Sequence, residues 1–101
     1  MTVYVDNMSD TQMGKLGRMK MSHMIADTHE ELMDIAAKIG LQSRWIQKAG
    51  TPQEHFDVSL SAKRKAIENG AVQITMRELA IKVRHKRKLD SLGNRTKTDV
   101  E

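Results

Sequence analysis

GRMKMSHMIAD, residues Gly17 to Asp27, is the stretch whose reading decides the fold. As a strand it puts Met19, Met21, His23 and Ile25 on one face and Arg18, Lys20, Ser22 and Met24 on the other, because successive side chains point to opposite sides. Methionine and lysine are also good helix formers, so a helix competes. The strand reading is preferred, since the next helix has a definite start of its own just beyond. The stretch packs two cations, a histidine and a carboxylate among interior-type residues, a mixture that a purely structural strand has little reason to carry.

That next start is Thr28 with Glu31 three residues on, the pattern of a reciprocal capping box. Leu32, Ile35, Ala36 and Ile39 recur at helical spacing, and Gly40 supplies a left-handed stop. Upstream, Val3 and Val5 alternate with Tyr4 in a short first strand over Thr2 to Asp6, and Asn7 to Gly17 has the composition of a surface loop. Downstream, Arg44 to Gln47 reads as a short strand, Lys48 to Glu54 as a turn segment holding Gly50 and Pro52, and Phe56 to Leu60 as another extended piece. A second helix is expected over about Ser61 to Asn69, ending at Gly70. Ala71 to Thr75 alternates again, and Thr75 with Glu78 opens a third helix whose stripe is Met76, Leu79, Ala80 and Val83. The expected architecture is one small α/β domain over residues 1–92, three to four short strands with about three helices in the order β-β-α-β-α-β-α. Residues 93–101 have nothing to bury and read as a mobile tail.

Composition narrows the function classes. A chain of 101 residues has room for one domain and little room for a deep pocket. Without cysteine there is no disulfide framework, thiol nucleophile or thiolate zinc site. No apolar run is long enough to span a bilayer and the N-terminus lacks the plan of a signal peptide, so the expected setting is the cytoplasm, with no membrane partner. The net charge of +4 is local: residues 1–81 hold as many acidic as basic groups, and the whole excess lies in residues 82–101.

Several phrases together resemble an uncharacterised family of phage and bacterial proteins catalogued as domain of unknown function 4031. They are YVD at Tyr4 to Asp6, GRMKMSHMIAD itself, EEL at Glu30 to Leu32, IG at Ile39 to Gly40, the pair Trp45 and Gln47, HFDVSLSAKR at His55 to Arg64, and GAVQIT at Gly70 to Thr75. The resemblance implies no established activity. It singles out Asp6, Arg18, His23, Asp27, Gln47, His55, Asp57 and Arg64 as polar positions matching the family's pattern. The chain departs from that pattern at Phe56, often tyrosine, and at Ile46, often phenylalanine.

Three constellations carry possible chemistry. His23, Asp27, His55 and Asp57 could form a divalent-metal site or a general acid–base pair, His23, His55 and Asp57 being the catalytic candidates. Their spacing is not diagnostic, and two of the four have plainer accounts, Asp27 as an anion before the helix cap, which is the favoured reading of that residue, and His23 as a core histidine. Ser59, Ser61, Lys63, Arg64 and Lys65 gather hydroxyls and cations at the start of the second helix, where an anion could bind, or where a serine simply caps and the lysines are solvated. Arg18, Lys20, Arg44 and Gln47 could add donors, and Trp45 could stack on a base. Lys82, Arg84, Lys86, Arg87 and Lys88 could touch nucleic acid or an acidic host protein, although a basic helix end exposed to water explains them as well.

The leading expectation is a small accessory protein binding a phosphate-bearing molecule, a nucleotide or an ADP-ribose-like compound, through Arg18, Lys20, Arg44, Trp45, Gln47, Ser59, Lys63 and Arg64. A site shared between two copies of the chain is its corollary. The first alternative is a hydrolase using His23, His55 and Asp57, and the second is a module acting through the basic helix. No cofactor or resident metal is called for by any motif; neither GxGxxG nor GxxxxGK[ST] occurs.

Overall fold

β3, Met19–Ala26, is the central strand of a mixed sheet, and every neighbour is defined by how it pairs with it. The computed structural model describes residues 2–10, 15–16 and 19–100, with side chains at 2–9 and 20–89. β1, Val3–Val5, runs antiparallel to the C-terminal half of β3 with Tyr4 opposite Ile25. β4, Phe56–Ser59, runs antiparallel along it with His23 opposite Asp57. β2, Lys15–Leu16, adds a two-residue pairing to the start of β3, and β5, Val72–Gln73, lies parallel to β1. The strand order is therefore β4-β3-β1-β5, with β2 at one end of β3.

α1, His29–Lys38, is capped by Thr28, whose Oγ1 accepts from the Glu31 amide at 3.2 Å, while Glu31 Oε1 accepts from the Thr28 hydroxyl at 2.9 Å in place of the backbone N–H that a reciprocal box would use. Gly40, at φ +85°, occupies the left-handed conformation that ends it. α2, Leu60–Glu68, is capped by Ser59, whose hydroxyl accepts from the Ala62 amide at 3.2 Å. α3, Met76–Val100, opens on the Thr75 and Glu78 box, and its helical backbone continues through residues 93–100, the segment that composition alone reads as a tail.

The inward face of the sheet carries Val3, Val5, Met24, Ala26, Phe56 and Val58, all buried, against Leu32, Ile35, Ala36 and Ile39 from α1 and Ala62 and Ala66 from α2. Burying a side chain such as Phe56, Met24 or Leu32 contributes about 1.5–3 kcal/mol each, so this single layer is the main source of cohesion. α3 crosses the opposite face. Its Lys82 Nζ sits 4.1 Å above the Tyr4 ring, the Lys86 ammonium donates to the Ala26 carbonyl, and the Met76 amide donates to Asn7 Oδ1 at 3.0 Å.

Two expectations are corrected in the segments between elements. Ser43–Trp45 is a turn of 3-10 helix, not a strand, with only Gln47 returning to the sheet as a bridge to His55. A run of four residues is too short for periodicity to separate those states. Within the expected Asn7 to Gly17 loop, Met8–Asp10 forms a 3-10 turn and Lys15–Leu16 pairs as β2. The Met8–Asp10 turn is anchored from below, since the Ser9 amide donates to Ser22 Oγ and the buried Lys63 ammonium to Ser9 Oγ, both at 3.0 Å.

Candidate functional site

With Phe56 and Val58 turned inward, His55 and Asp57 must project from the other face of the sheet, and the β3–β4 register brings His23 beside Asp57. The same alternation in β1 turns Val3 and Val5 to the core and sends Asp6 to the His23 side, where the Asp6 amide donates to the His23 carbonyl at 3.0 Å. Four chemically active side chains from three strand segments therefore meet on one patch.

Asp6 is only 1% exposed, which makes its hydrogen bonds decisive. Oδ1 accepts from the His23 amide at 3.0 Å and the Met8 amide at 3.1 Å, and Oδ2 lies 2.8 Å from His23 Nδ1. Burial pushes this carboxyl upward, but those bonds and the charge of His23 outweigh burial and hold it below its ordinary range. His23 responds in the opposite sense. Its bond to Asp6 raises its pKa above 6.5, against the cost of partial burial and with help from the charges of Asp6 and Asp57.

The tautomers follow from these partners. Facing a carboxylate, Nδ1 of His23 carries a proton, and Nδ1 of His55, 2.8 Å from the Gln53 carbonyl oxygen, must carry one as well. In the neutral rings each Nε2 is then left as an acceptor. The two rings stand edge to face with centroids 5.3 Å apart. Both Nε2 atoms approach Asp57 Oδ1, at 3.8 Å from His23 and 3.5 Å from His55, while Gln47 Nε2 donates to Asp57 Oδ2 at 2.5 Å. Three ligand-type atoms, one each from His23, His55 and Asp57, all lie within 4.8 Å of one another. Such a set can hold a divalent ion or handle the proton of a water molecule.

A cavity of about 230 Å³ opens beside the two rings, lined also by Ile25, Lys48, Gln53, Leu79 and Val83. It brings one cation, Lys48, and an apolar wall from β3 and α3 to the same place. Lys48 stands at φ +54°, a left-handed conformation rare outside glycine, and its carbonyl accepts from the Thr51 amide and hydroxyl. Nothing in the sequence marks it, because an isolated lysine in a turn has no periodicity to betray it.

Of the remaining proposed positions, only Gln47 joins the patch among the described residues, through Asp57. Ser59 is on the same face of β4 but serves as the α2 cap, and Lys63 is turned inward to Ser9. Lys20, Arg44 and Arg64 are exposed, Trp45 is about half exposed, and Arg18 lies outside the described residues. Asp27 accepts from the Thr2 amide at 2.9 Å instead of joining the histidines. Among the basic residues of α3, Lys82 and Lys86 engage the body, while Arg84, Arg87 and Lys88 face water. No helix among the described residues is long and apolar enough to cross a membrane.

Asp6, His23, Gln47, His55 and Asp57, five of the eight polar positions that the resemblance singles out, thus lie together on one patch. No curated protein and no solved structure matches the chain. A family model does match over residues 3–86, which include all five of these positions, and the chain belongs to that family, the proteins of unknown function designated DUF4031.

Proposed function

We propose that this protein hydrolyses a phosphate-bearing small molecule at the patch formed by His23, His55 and Asp57. The observation that carries the reading is the convergence of three acceptor atoms whose opposite ends are all fastened, by Asp6, by the Gln53 carbonyl and by Gln47. A site meant only to grip an anion would keep donors turned toward it; here the neutral rings turn acceptors, and the raised pKa of His23 lets it take up and return a proton, which suits the handling of water. Lys48 at the adjoining cavity offers the charge for a phosphate oxygen, and Ile25, Leu79 and Val83 offer a surface for the organic part.

In the reaction, the oxygen of water bonds to phosphorus and its proton passes to the acceptor set. The ester P–O bond breaks, and the departing oxygen keeps the electron pair and takes up a proton. Binding without turnover, the first expectation from the sequence, would use the same cavity and differ in leaving the ligand intact.

Phosphate release from a panel of phosphomonoesters, phosphodiesters and nucleotides tests the proposal. Turnover is expected for at least one class and should fall by about 10²- to 10⁴-fold in His55→Ala and Asp57→Asn. The exposed pair Arg87→Ala and Lys88→Ala should leave it unchanged, whereas a function seated on the basic helix would be lost there. Stoichiometric capture of a panel member with no product would favour the binding reading.

A further inference from the structure

The geometry points to a divalent first-row transition ion, of the Zn²⁺ or Mn²⁺ type, bound by His23 Nε2, His55 Nε2 and Asp57 Oδ1. The inference concerns the same patch as the hydrolytic reading and rests on that reading for what the ion does.

Three observations carry it. First, the donor set is two imidazole nitrogens and one carboxylate oxygen, the borderline combination that suits such ions and leaves coordination positions open for water and substrate. Second, the separations fit. Donors about 2.0–2.2 Å from a tetrahedral ion stand about 3.3–3.6 Å apart. The two histidine-to-Asp57 gaps are 3.5 and 3.8 Å and all three donor atoms lie within 4.8 Å of one another, so the set closes around an ion when side-chain rotation draws the two imidazole nitrogens together. Third, every candidate ligand has the outer partner that metal ligands characteristically have. A buried carboxylate orients His23, a backbone carbonyl orients His55, and an amide holds the other oxygen of Asp57. These partners place three electron-rich atoms within 4.8 Å of one another, an arrangement that gains from a positive charge at its centre.

The other pairings of histidine with an acid lack this arrangement. His29 meets a single carboxylate, Glu54, at 2.8 Å, and His85 is exposed on α3. A bound ion would polarise a phosphoryl oxygen or lower the pKa of a coordinated water, the Lewis-acid contribution that the reading of the site calls for.

Titration calorimetry of the chelator-treated full-length chain with ZnCl₂, and the visible absorption of its Co²⁺ complex, test this. One saturable ion per chain is expected, lost or weakened by about 100-fold or more in Asp57→Asn and His55→Ala. Asp6→Asn should weaken binding by about 10- to 100-fold by releasing His23, and His85→Ala should not change it. Circular dichroism of each variant separates loss of the site from loss of the fold, and the partly exposed Asp57 makes Asp57→Asn the variant least exposed to that ambiguity. Absence of saturable binding to either ion, or binding indifferent to both Asp57→Asn and His55→Ala, overturns the inference. Saturable binding without phosphate release from any substrate keeps the ion and removes the hydrolytic reading; turnover that survives exhaustive chelation does the reverse.

Discussion

Nδ1 of His23 lies 2.8 Å from Oδ2 of Asp6, a carboxylate withdrawn almost wholly from water. The pair joins the end of β1 to the middle of β3, so it is a strut of the sheet as well as the rear support of the site. Asp6→Ala would remove the carboxylate that the His23 ring and the His23 amide both bond. It should lower stability by about 3 kcal/mol, measured as a lower urea midpoint. Asp6→Asn keeps one acceptor oxygen and should cost less. Equal midpoints for Asp6→Ala and the native chain would show that the pair supports nothing.

The division between inward and outward faces can be checked by truncation. Phe56, 1% exposed, should cost about 3–5 kcal/mol as Phe56→Ala, through lost burial and the cavity left behind. Trp45, 49% exposed, should cost within about 0.5 kcal/mol as Trp45→Ala, despite being the larger side chain. The reverse ranking in chemical denaturation would place β4 the other way round.

Lys48 combines a strained backbone with a position on the cavity wall. Lys48→Gly removes the Cβ that makes φ +54° costly, so stability should be retained or rise by up to about 1 kcal/mol. If the ammonium holds the phosphate, the same variant raises KM, an unusual pairing of a stable fold with weaker substrate binding. Reduced stability with unchanged KM would reassign the residue to the turn alone.

Lys86 gives a pH signature. Burial between α3 and the sheet lowers its pKa below the ordinary 10.5, partly offset by the charges of Glu54, Asp27 and Glu31. Between the lowered folded value and 10.5 the unfolded chain binds more protons, so this group makes stability rise with pH across that window. Lys86→Met should flatten that rise relative to the native chain when melting temperature is followed from pH 8 to about 10.5. A slope unchanged by the substitution would mean that the ammonium remains fully hydrated.

The local elements were legible because their signals are local. The strand that holds Lys20 to Ile25, the Thr28 cap, the Thr75 and Glu78 box and the stop at Gly40 each depend on neighbours within a few residues, and each is present in the structure. His55 and Asp57 could be read as sharing a face from their spacing of two. What spacing could not supply was register. Asp6 reaches His23 only because Val5 pairs with Met24, and Gln47 reaches Asp57 only because a bridge to His55 closes the intervening turn. The inward turn of Lys63 was equally hidden, since charge alone suggests a surface position and its acceptor, Ser9, lies 54 residues away. The apolar stripe of α3 marks Leu79 and Val83 as a face to be covered, but which sheet face the helix crosses, and hence that these two residues wall the cavity, is a tertiary choice.

The convergence of two acceptor nitrogens on Asp57 is the claim on which the functional reading stands, and long-range proton–nitrogen correlation NMR of the imidazoles addresses it directly. In chelator-treated protein, at a pH high enough to discharge both rings, His23 and His55 should each appear with the proton on Nδ1 and a bare Nε2. A proton on Nε2 of either ring would turn a donor toward Asp57, and the site would then be a hydrogen-bonded brace with no opening for water or an ion.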